Sequence, residues 1–323
     1  MVHFIKKQWF NIVKILISAA LLIYLLFFKA DTGQLVQIIL RASWGYLAAA
    51  AALMIAGTAL RAVRWQVLLN ALDIRVPLSR LTGLYFVGAF FNIFMPTGLG
   101  GDAIKMVELS RTTGKVPEAI GTTLVDRAIG LWTLFVMALV ALPFSIHLLP
   151  AKSITEILGI ILAGVIGGWL VMGTPLIPWI GSKVRLPGQD KLMRFYRSIS
   201  QLGYPALGKA CLVSTLFNLM LILFNLLIAL GLGVHQPVGI FLLFVPIISL
   251  SLALPISIGG LGVREGVFVY LFGLLGVNSS LSFSMGLTNY LITNIVVGLL
   301  GGIWYSLEGA KEMKIRHGNG EKP

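Results

Sequence analysis

The sequence is poor in charge, in acidic residues and in cysteine. Charged residues make up 11% of its 323 positions, and only 12 of them are Asp or Glu. Soluble domains carry about 25% charged residues, so a soluble protein is excluded. The single cysteine, Cys211, excludes an internal disulfide. The histidines lie at the termini or in predicted loops and therefore indicate no metal site; they are His3, His147, His235 and His317.

The sequence also lacks the motifs of common catalytic chemistries. The stretch GLGGD at residues 98–102 follows no strand and precedes no Gly-Lys-Ser/Thr, so it is not a nucleotide-binding loop. No Ser/His/Asp set indicates a hydrolase. We therefore predict a protein that is not an enzyme and that has neither cofactor nor metal. The net charge of +13 is concentrated in loops and tails, and we attribute it to membrane topology instead of nucleic-acid binding.

The sequence is rich in long runs of apolar residues. Hydrophobic residues make up 57% of the chain, and the mean hydropathy is +0.92. Continuous runs reach the ~20 residues that a helix needs to cross a bilayer. Continuous runs, unlike alternating ones, predict helices. The fold class is therefore an all-α polytopic membrane protein, with 1–323 as a single transmembrane domain. Six full spans are predicted: a first span ending at Phe28, then 44–60, 121–142, 154–178, 211–232 and 283–307.

Two other apolar segments are interrupted by the same motif, Pro-x3-Gly-Gly-x3-Lys/Arg. The first copy contains Pro96, Gly100, Gly101 and Lys105, and the second contains Pro255, Gly259, Gly260 and Arg264. Proline and clustered glycine break helices, and paired breaks in two halves of a chain point to the binding site of a repeated transporter. We predict two re-entrant half-helix pairs in an inverted repeat. The approximate repeats are 44–142 and 211–307, linked by span 154–178 and a basic cytoplasmic loop at 181–210.

The distribution of basic residues supports this topology. With the N-terminus in the cytoplasm and both interrupted segments re-entrant, most of the 25 Lys and Arg lie on the cytoplasmic side. The same arrangement makes the two breaks enter from opposite sides. Both termini are then cytoplasmic.

Lys105 and Arg264 each fall near the first turn of the half-helix that follows a Gly-Gly pair. A helix N-terminus attracts anions, and a nearby cation adds to that attraction. Glycine lets a ligand approach the backbone closely. The pattern predicts a phosphate or carboxylate site at each break. The structural alternatives are that Lys105 snorkels to the interface and that Arg264 pairs with a buried acid.

The remaining membrane charges suggest partners. Arg264 and Glu265 are adjacent and cannot face each other on a helix, so each needs another partner. Asp102 and Asp126 are candidates for Arg264, and Arg127 is a candidate for Glu265. Asp102 has an alternative role as the cap of a helix starting at residue 103.

Two arginines, Arg61 and Arg64, lie at the predicted end of the second span. They either contact a lipid headgroup or anchor the span at the interface. Four asparagines lie within spans, where interhelical hydrogen bonding is their commoner use; they are Asn218, Asn225, Asn289 and Asn294.

Four motifs together resemble the flippase-like family known from the transmembrane region of lysylphosphatidylglycerol synthases. They are Arg61-x2-Arg64-Trp65, Pro96-Thr-Gly-Leu-Gly-Gly-Asp102, Asp126-Arg127 and Pro255-x3-Gly-Gly-Leu-Gly-x-Arg264-Glu265-Gly266. The resemblance covers about residues 8–307 and implies a multi-pass protein of a bacterial or archaeal cytoplasmic (inner) membrane. Known relatives move aminoacylated phosphatidylglycerol outward or accompany polyprenyl-phosphate sugar or cardiolipin pathways. The sequence here has no aminoacyl-transfer domain, which leaves translocation as the expected activity.

The expected function is transport of an anionic phospholipid or polyprenyl-phosphate lipid through a polar cavity between the repeats. Arg264 and Lys105, with Arg64 or Arg127, would neutralise the phosphate, and Asp102 and Glu265 would hold those cations in the empty site. The alternatives are a secondary transporter of a small anionic solute, an intramembrane lipid-modifying enzyme and a non-transporting partner of a lipid synthase. A lipid synthase or glycosyltransferase is the expected protein partner.

Overall fold

The structure is a computed structural model that describes residues 16, 18–94, 100–173, 201–253, 257 and 259–318. Within these ranges the protein is helical and has no strand. The first six helices are α1 (Ser18–Phe28), α2 (Thr32–Arg41), α3 (Trp44–Asn70), α4 (Leu78–Phe94), α5 (Gly100–Thr113) and α6 (Val116–Ser145). The others are α7 (Ala151–Gly173), α8 (Gly203–Gly231), α9 (Val238–Ala253), α10 (Val263–Gly273), α11 (Ser279–Tyr290) and α12 (Val297–Gly318). A 3-10 turn, Ile146–Leu148, follows α6, and a π-helical segment, Leu291–Val296, joins α11 to α12.

Five helical stretches among the described residues are long and apolar enough to cross a membrane. They are Trp44–Asn70, Val116–Leu148, Ala151–Val171, Gly203–Gly231 and Ser279–Leu307. The pair α1 and α2 passes the same test together but is bent by 89°. This confirms an all-α polytopic membrane protein with five to six spans. The inverted relation of the two repeats stays a prediction.

The predicted end of the second span is wrong. Helix α3 continues past residue 60 to Asn70, which places Arg61 and Arg64 inside the helix. Hydropathy falls at these arginines because they are charged, but buried partners let the helix continue through them. At the other boundary, α8 begins at Gly203, so the last residues of the predicted loop 181–210 are helical. Residues 181–200 lie outside the described ranges.

Helix α2 is an element that the sequence analysis did not predict. Asp31 precedes it and caps it, because its carboxylate accepts hydrogen bonds from the backbone N–H of Gly33 at 2.8 Å and of Gln34 at 3.2 Å. The backbone N–H of Asp31 donates to Ser280 Oγ on α11 at 3.0 Å. This hydrogen bond connects the bend between α1 and α2 to α11.

Both prolines of the breaks, Pro96 and Pro255, lie outside the described residues, but the helices on either side are described. At the first break, α5 begins beside Gly88, since a Cβ on Gly88 would lie 3.0 Å from the backbone oxygen of Gly101. Gly88 lies well before the end of α4 at Phe94. The chain has therefore doubled back, and α4 and α5 form a hairpin, as a re-entrant pair requires.

The second break uses left-handed backbone geometry. Gly259, Gly260 and Gly262 have φ values of 58°, 83° and 81°, which L side chains rarely adopt. The helices that flank this turn are joined by an aromatic cluster, in which Phe244 of α9 contacts Phe272 of α10 edge-to-face with ring centroids 5.4 Å apart. Such contacts stabilise a pair of helices beyond the burial of area alone. The turn at the second break is therefore held by packing on both sides.

Candidate functional site

A cavity of about 310 Å³ lies between the two breaks. Gly101, Asp102 and Lys105 line it from the first break, and Gly259 and Arg264 line it from the second. The rest of the wall comes from α3, α4, α6, α8, α9, α11, the π-helical segment and the first residue of α12. The sequence did not reveal whether the two breaks meet in space, and the structure brings them to one site.

A buried ion pair fixes the helices on one side of this cavity. Arg64 Nε on α3 lies 2.5 Å from Asp126 Oδ1 on α6, and both side chains are almost fully buried. Tyr85 of α4 donates its hydroxyl proton to Asp126 Oδ2 at 2.5 Å. Arg64 Nη1 donates to Ser214 Oγ of α8 at 2.8 Å. A single network therefore joins four helices, and Arg64 is a buried cavity residue instead of an interface anchor.

At the first break, two cations pair with one carboxylate. Lys105 Nζ lies 2.8 Å from Asp102 Oδ1, and Arg127 Nε lies 3.2 Å from Asp102 Oδ2. Lys105 is 3% exposed, and its Nζ lies 3.9 Å from the ring centroid of Tyr85. The snorkelling alternative for Lys105 is therefore wrong, because the ammonium group is held inside the protein.

The start of α5 is capped by a different residue from the one predicted. The helix begins at Gly100, so Asp102 lies within its first turn and is not the cap of a helix from 103. The backbone N–H of Gly101 donates to Asn92 Oδ1 of α4 at 2.7 Å. The side-chain oxygen of Asn92 on α4 thus accepts a hydrogen bond from a backbone N–H at the start of α5, which has no acceptor within its own helix.

At the second break, the cation is not neutralised. Arg264 is 4% exposed, and among the described residues no carboxylate lies within 4.0 Å of it. Its Nη1 donates to Thr293 Oγ1 at 3.0 Å and its Nη2 to the oxygen of Gly259 at 3.4 Å. Its Nε is buried without a hydrogen-bond partner in the described part of the chain. The predicted pairing of Arg264 with Asp102 or Asp126 is wrong.

Glu265 finds its partner in its own helix. Its Oε2 accepts a hydrogen bond from the backbone N–H of Gly262 at 2.6 Å, which caps the start of α10. Arg127, the predicted partner of Glu265, contacts Asp102 instead. The capping pattern was visible in the sequence, because Glu265 stands three residues after a glycine that can end a turn.

Arg61 is the other cavity cation without an acid within 4.0 Å in the described ranges. Its Cζ lies 4.9 Å from the ring centroid of Tyr85 and 5.6 Å from that of Phe217. Aromatic faces attract a guanidinium group without neutralising its charge. Arg264 is held in the same way, with its Cζ 5.3 Å from the ring centroid of Tyr290.

The four asparagines line the cavity, and some of them also join helices. Asn289 Nδ2 donates to Asn225 Oδ1 at 2.9 Å, and Asn218 Nδ2 donates to Thr133 Oγ1 at 2.9 Å. The predicted interhelical role is confirmed for these pairs. Asn294 lies in the π-helical segment, a type of turn often found at functional sites. The sequence carried no signal for that segment.

Two functional-site residues were missed altogether. Tyr85 and Tyr290 hold cations at the cavity wall, but an aromatic residue inside an apolar run carries no sequence signal of such a role. Asn92 had a weak signal, since it is the one polar residue in the FNIF stretch before Pro96.

The model of the lysylphosphatidylglycerol synthase TM region family matches residues 11–301 of the chain. The chain belongs to this family. The motifs on which the resemblance to this family rests lie at the cavity. Arg64, Asp102 and Arg264 all form part of its wall. Family membership and the helical fold together establish a multi-pass membrane protein of a family with archaeal members.

Two curated relatives cover nearly the whole chain. A UPF0104 membrane protein of Pyrococcus horikoshii is 25% identical, over 90% of this chain and 95% of its own length. A UPF0104 membrane protein of Methanothermobacter thermautotrophicus is 23% identical, over 94% of this chain and 95% of its own length. No solved structure gives a significant match to the chain.

Proposed function

We propose that this protein moves a lipid with an anionic headgroup, either an anionic phospholipid or a polyprenyl-phosphate lipid, across the membrane through the cavity between the two breaks. The observation that carries the proposal is Arg264. It presents a buried guanidinium group at the cavity wall and at the start of α10, with no carboxylate within 4.0 Å among the described residues.

Physical chemistry favours an anionic ligand at this position. A charged side chain at membrane depth costs ~2.5–3.5 kcal/mol on insertion scales, and charges kept there usually have a function. The N-terminus of α10 is itself electropositive, so its field disfavours Arg264 in the empty state and favours an anion beside it. A phosphate group bound to Arg264 would reverse both costs.

The size of the cavity suits a headgroup better than a whole lipid. Its volume of about 310 Å³ lies at the lower end of the ~300–1,000 Å³ range of ligand sites. The lipid tail would therefore stay in the bilayer while the headgroup occupies the cavity. Rocking of one predicted repeat against the other would then open the cavity to each side in turn.

A transporter fits the cavity acids better than an enzyme does. Asp126 is bonded to Arg64 and Tyr85, and Asp102 is bonded to Lys105 and Arg127. Glu265 caps its own helix. Of these three acids only Asp102 lies on the cavity wall, where it is ion-paired. Glu265 Oε1 has no hydrogen-bond partner in the described part of the chain, but it is buried away from the wall, so the described residues present no unpaired carboxylate to the cavity as a general base.

The test is headgroup accessibility in proteoliposomes. Purified protein is reconstituted with trace fluorescent phosphatidylglycerol, phosphatidylethanolamine or polyprenyl phosphate, and quenching by dithionite is followed over time. Wild type should expose an anionic lipid faster than empty liposomes do, and Arg264→Gln should abolish the difference. Arg111→Gln is the matched control, because Arg111 is exposed, pairs with Glu108 on the protein surface and does not line the cavity.

The proposal fails if wild type moves none of these lipids, with or without an imposed proton or sodium gradient. Uptake of radiolabelled glycerol 3-phosphate in the same vesicles would then identify the solute transporter as the better reading.

A further inference from the structure

The positive charge of the cavity wall indicates how many negative charges its ligand carries. We infer that the headgroup is a phosphate monoester, which carries about two negative charges, and not a singly charged phosphodiester. This inference rests on the proposed function and selects between the lipid classes that it leaves open.

The cavity wall carries more positive charge than the nearby carboxylates can compensate. Its basic side chains are Arg61, Arg64, Lys105, Arg127 and Arg264. The carboxylates on this wall or directly behind it in the described structure are Asp102, Asp126 and Glu265. Even when Glu265 is counted, two positive charges remain uncompensated.

The contacts show which cations lie beside a carboxylate. Asp126 compensates Arg64, and the single carboxylate of Asp102 is shared by Lys105 and Arg127. Arg61 and Arg264 have no carboxylate within 4.0 Å in the described ranges. They come from α3 and α10, so they approach the same cavity from different helices.

Both groups are guanidinium groups held over aromatic rings. Each terminal nitrogen of a guanidinium group carries two N–H donors, so Arg264 keeps one on Nη1 and one on Nη2 beyond those that it donates to Thr293 and Gly259. A guanidinium fork matches two oxygens of a phosphate group. A phosphate monoester offers three terminal oxygens and a charge of about −1.5 to −2 at pH 7, so both arginines can bind it together. A phosphodiester has two such oxygens and one charge, and it would leave one arginine uncompensated.

The experiment compares two lipids that differ only at the phosphate. Dioleoyl phosphatidic acid is a monoester and dioleoyl phosphatidylglycerol is a diester with the same tails. Their binding to detergent-purified protein is measured by isothermal titration calorimetry. We expect the monoester to bind at least about tenfold more tightly, which is the lower range for a hydrogen bond to a charged group.

The variants Arg61→Gln and Arg264→Gln should each bring the two lipids to within about twofold of one another, because one arginine then matches one charge equally well. The control Arg111→Gln should keep the preference. Circular dichroism and size-exclusion elution of each variant establish that it is folded, and Arg61→Lys and Arg264→Lys should keep part of the preference because they keep the charge without the fork.

Water-soluble headgroups separate the possible sources of the phosphate. Glycerol 3-phosphate and glycerophosphoglycerol are titrated in the same way without tails. Tight binding of glycerol 3-phosphate alone, with no gain from the tails, supports the monoester site but overturns lipid transport. Equal or tighter binding of phosphatidylglycerol overturns the monoester inference and leaves the proposed function standing. Binding of none of the four compounds overturns both.

Discussion

The two breaks share a motif but differ in charge. When the prolines are aligned, Lys105 corresponds to Arg264, and Asp102 corresponds to Leu261. The first break therefore carries its own counterion three residues before its cation, and the second carries an apolar side chain there. The difference teaches that the motif places a cation at both breaks, while the described residues pair only the cation of the first break with a carboxylate.

The largest expected effect concerns the network that supports the first break. Asp126→Ala would leave Arg64 buried without its counterion and Tyr85 without its acceptor. Removing one partner of a buried ion pair costs about 3–5 kcal/mol. We expect a clear fall in the midpoint of thermal unfolding in detergent, followed by circular dichroism. An unchanged midpoint would show that the network is not what joins these helices.

The second break should behave in the opposite way. Arg264→Gln removes a buried charge that has no carboxylate within 4.0 Å in the described part of the chain, so we expect transport to be lost while the unfolding midpoint stays the same or rises. The paired readouts are the dithionite assay and thermal unfolding on one preparation. A fall in stability as large as that of Asp126→Ala would contradict the claim that the two breaks differ.

Leu261→Asp gives the second break a carboxylate at the position that Asp102 occupies in the first break. The new carboxylate would stand three residues before Arg264, the sequence separation of Asp102 and Lys105, whose charged groups lie 2.8 Å apart. It would lie in the turn that leads into α10, close to the guanidinium group in sequence. We expect it to compete with the ligand and to slow transport by about tenfold, which corresponds to ~1.4 kcal/mol. Leu261→Asn is the control of matched size without charge. If both variants slow transport equally, the charge of Asp102 is not the distinguishing feature.

The smallest expected effect is on the cap of α5. Asn92→Ala removes the acceptor for the Gly101 N–H, and loss of a helix cap costs about 1 kcal/mol. We expect a small fall in the unfolding midpoint. Asn92→Asp, which keeps an acceptor oxygen, should fall less. A larger loss in the aspartate variant than in the alanine variant would argue against capping as the role of Asn92.

The lengths of the apolar runs were enough to predict the fold class and the approximate spans, because a segment that crosses the bilayer must be helical and must have about 20 apolar residues. It could not predict where a helix ends inside the protein. Helix α3 runs on through Arg61 and Arg64, since Asp126, which is far away in sequence, makes the burial of Arg64 possible and aromatic rings pack against the partly exposed Arg61.

The candidate site was predicted in part. The positions of Lys105 and Arg264 near the starts of their half-helices follow from the glycine pairs and agree with the structure. Their partners did not follow, because ion pairing depends on which helices meet. The π-helical segment that brings Thr293 to Arg264 could not be predicted from the sequence either, since nothing in its composition distinguishes it from an α-helix.

The left-handed glycines of the second break have a consequence for the kinetics of recognition. Gly259, Gly260 and Gly262 hold a turn that other residues rarely adopt, and aromatic packing secures the helices on either side of it. A ligand of the proposed kind would meet a turn whose shape is fixed in advance, and little conformational freedom would be lost on binding. Capture should then be fast and weakly dependent on temperature, and differences between ligands should appear in their residence times.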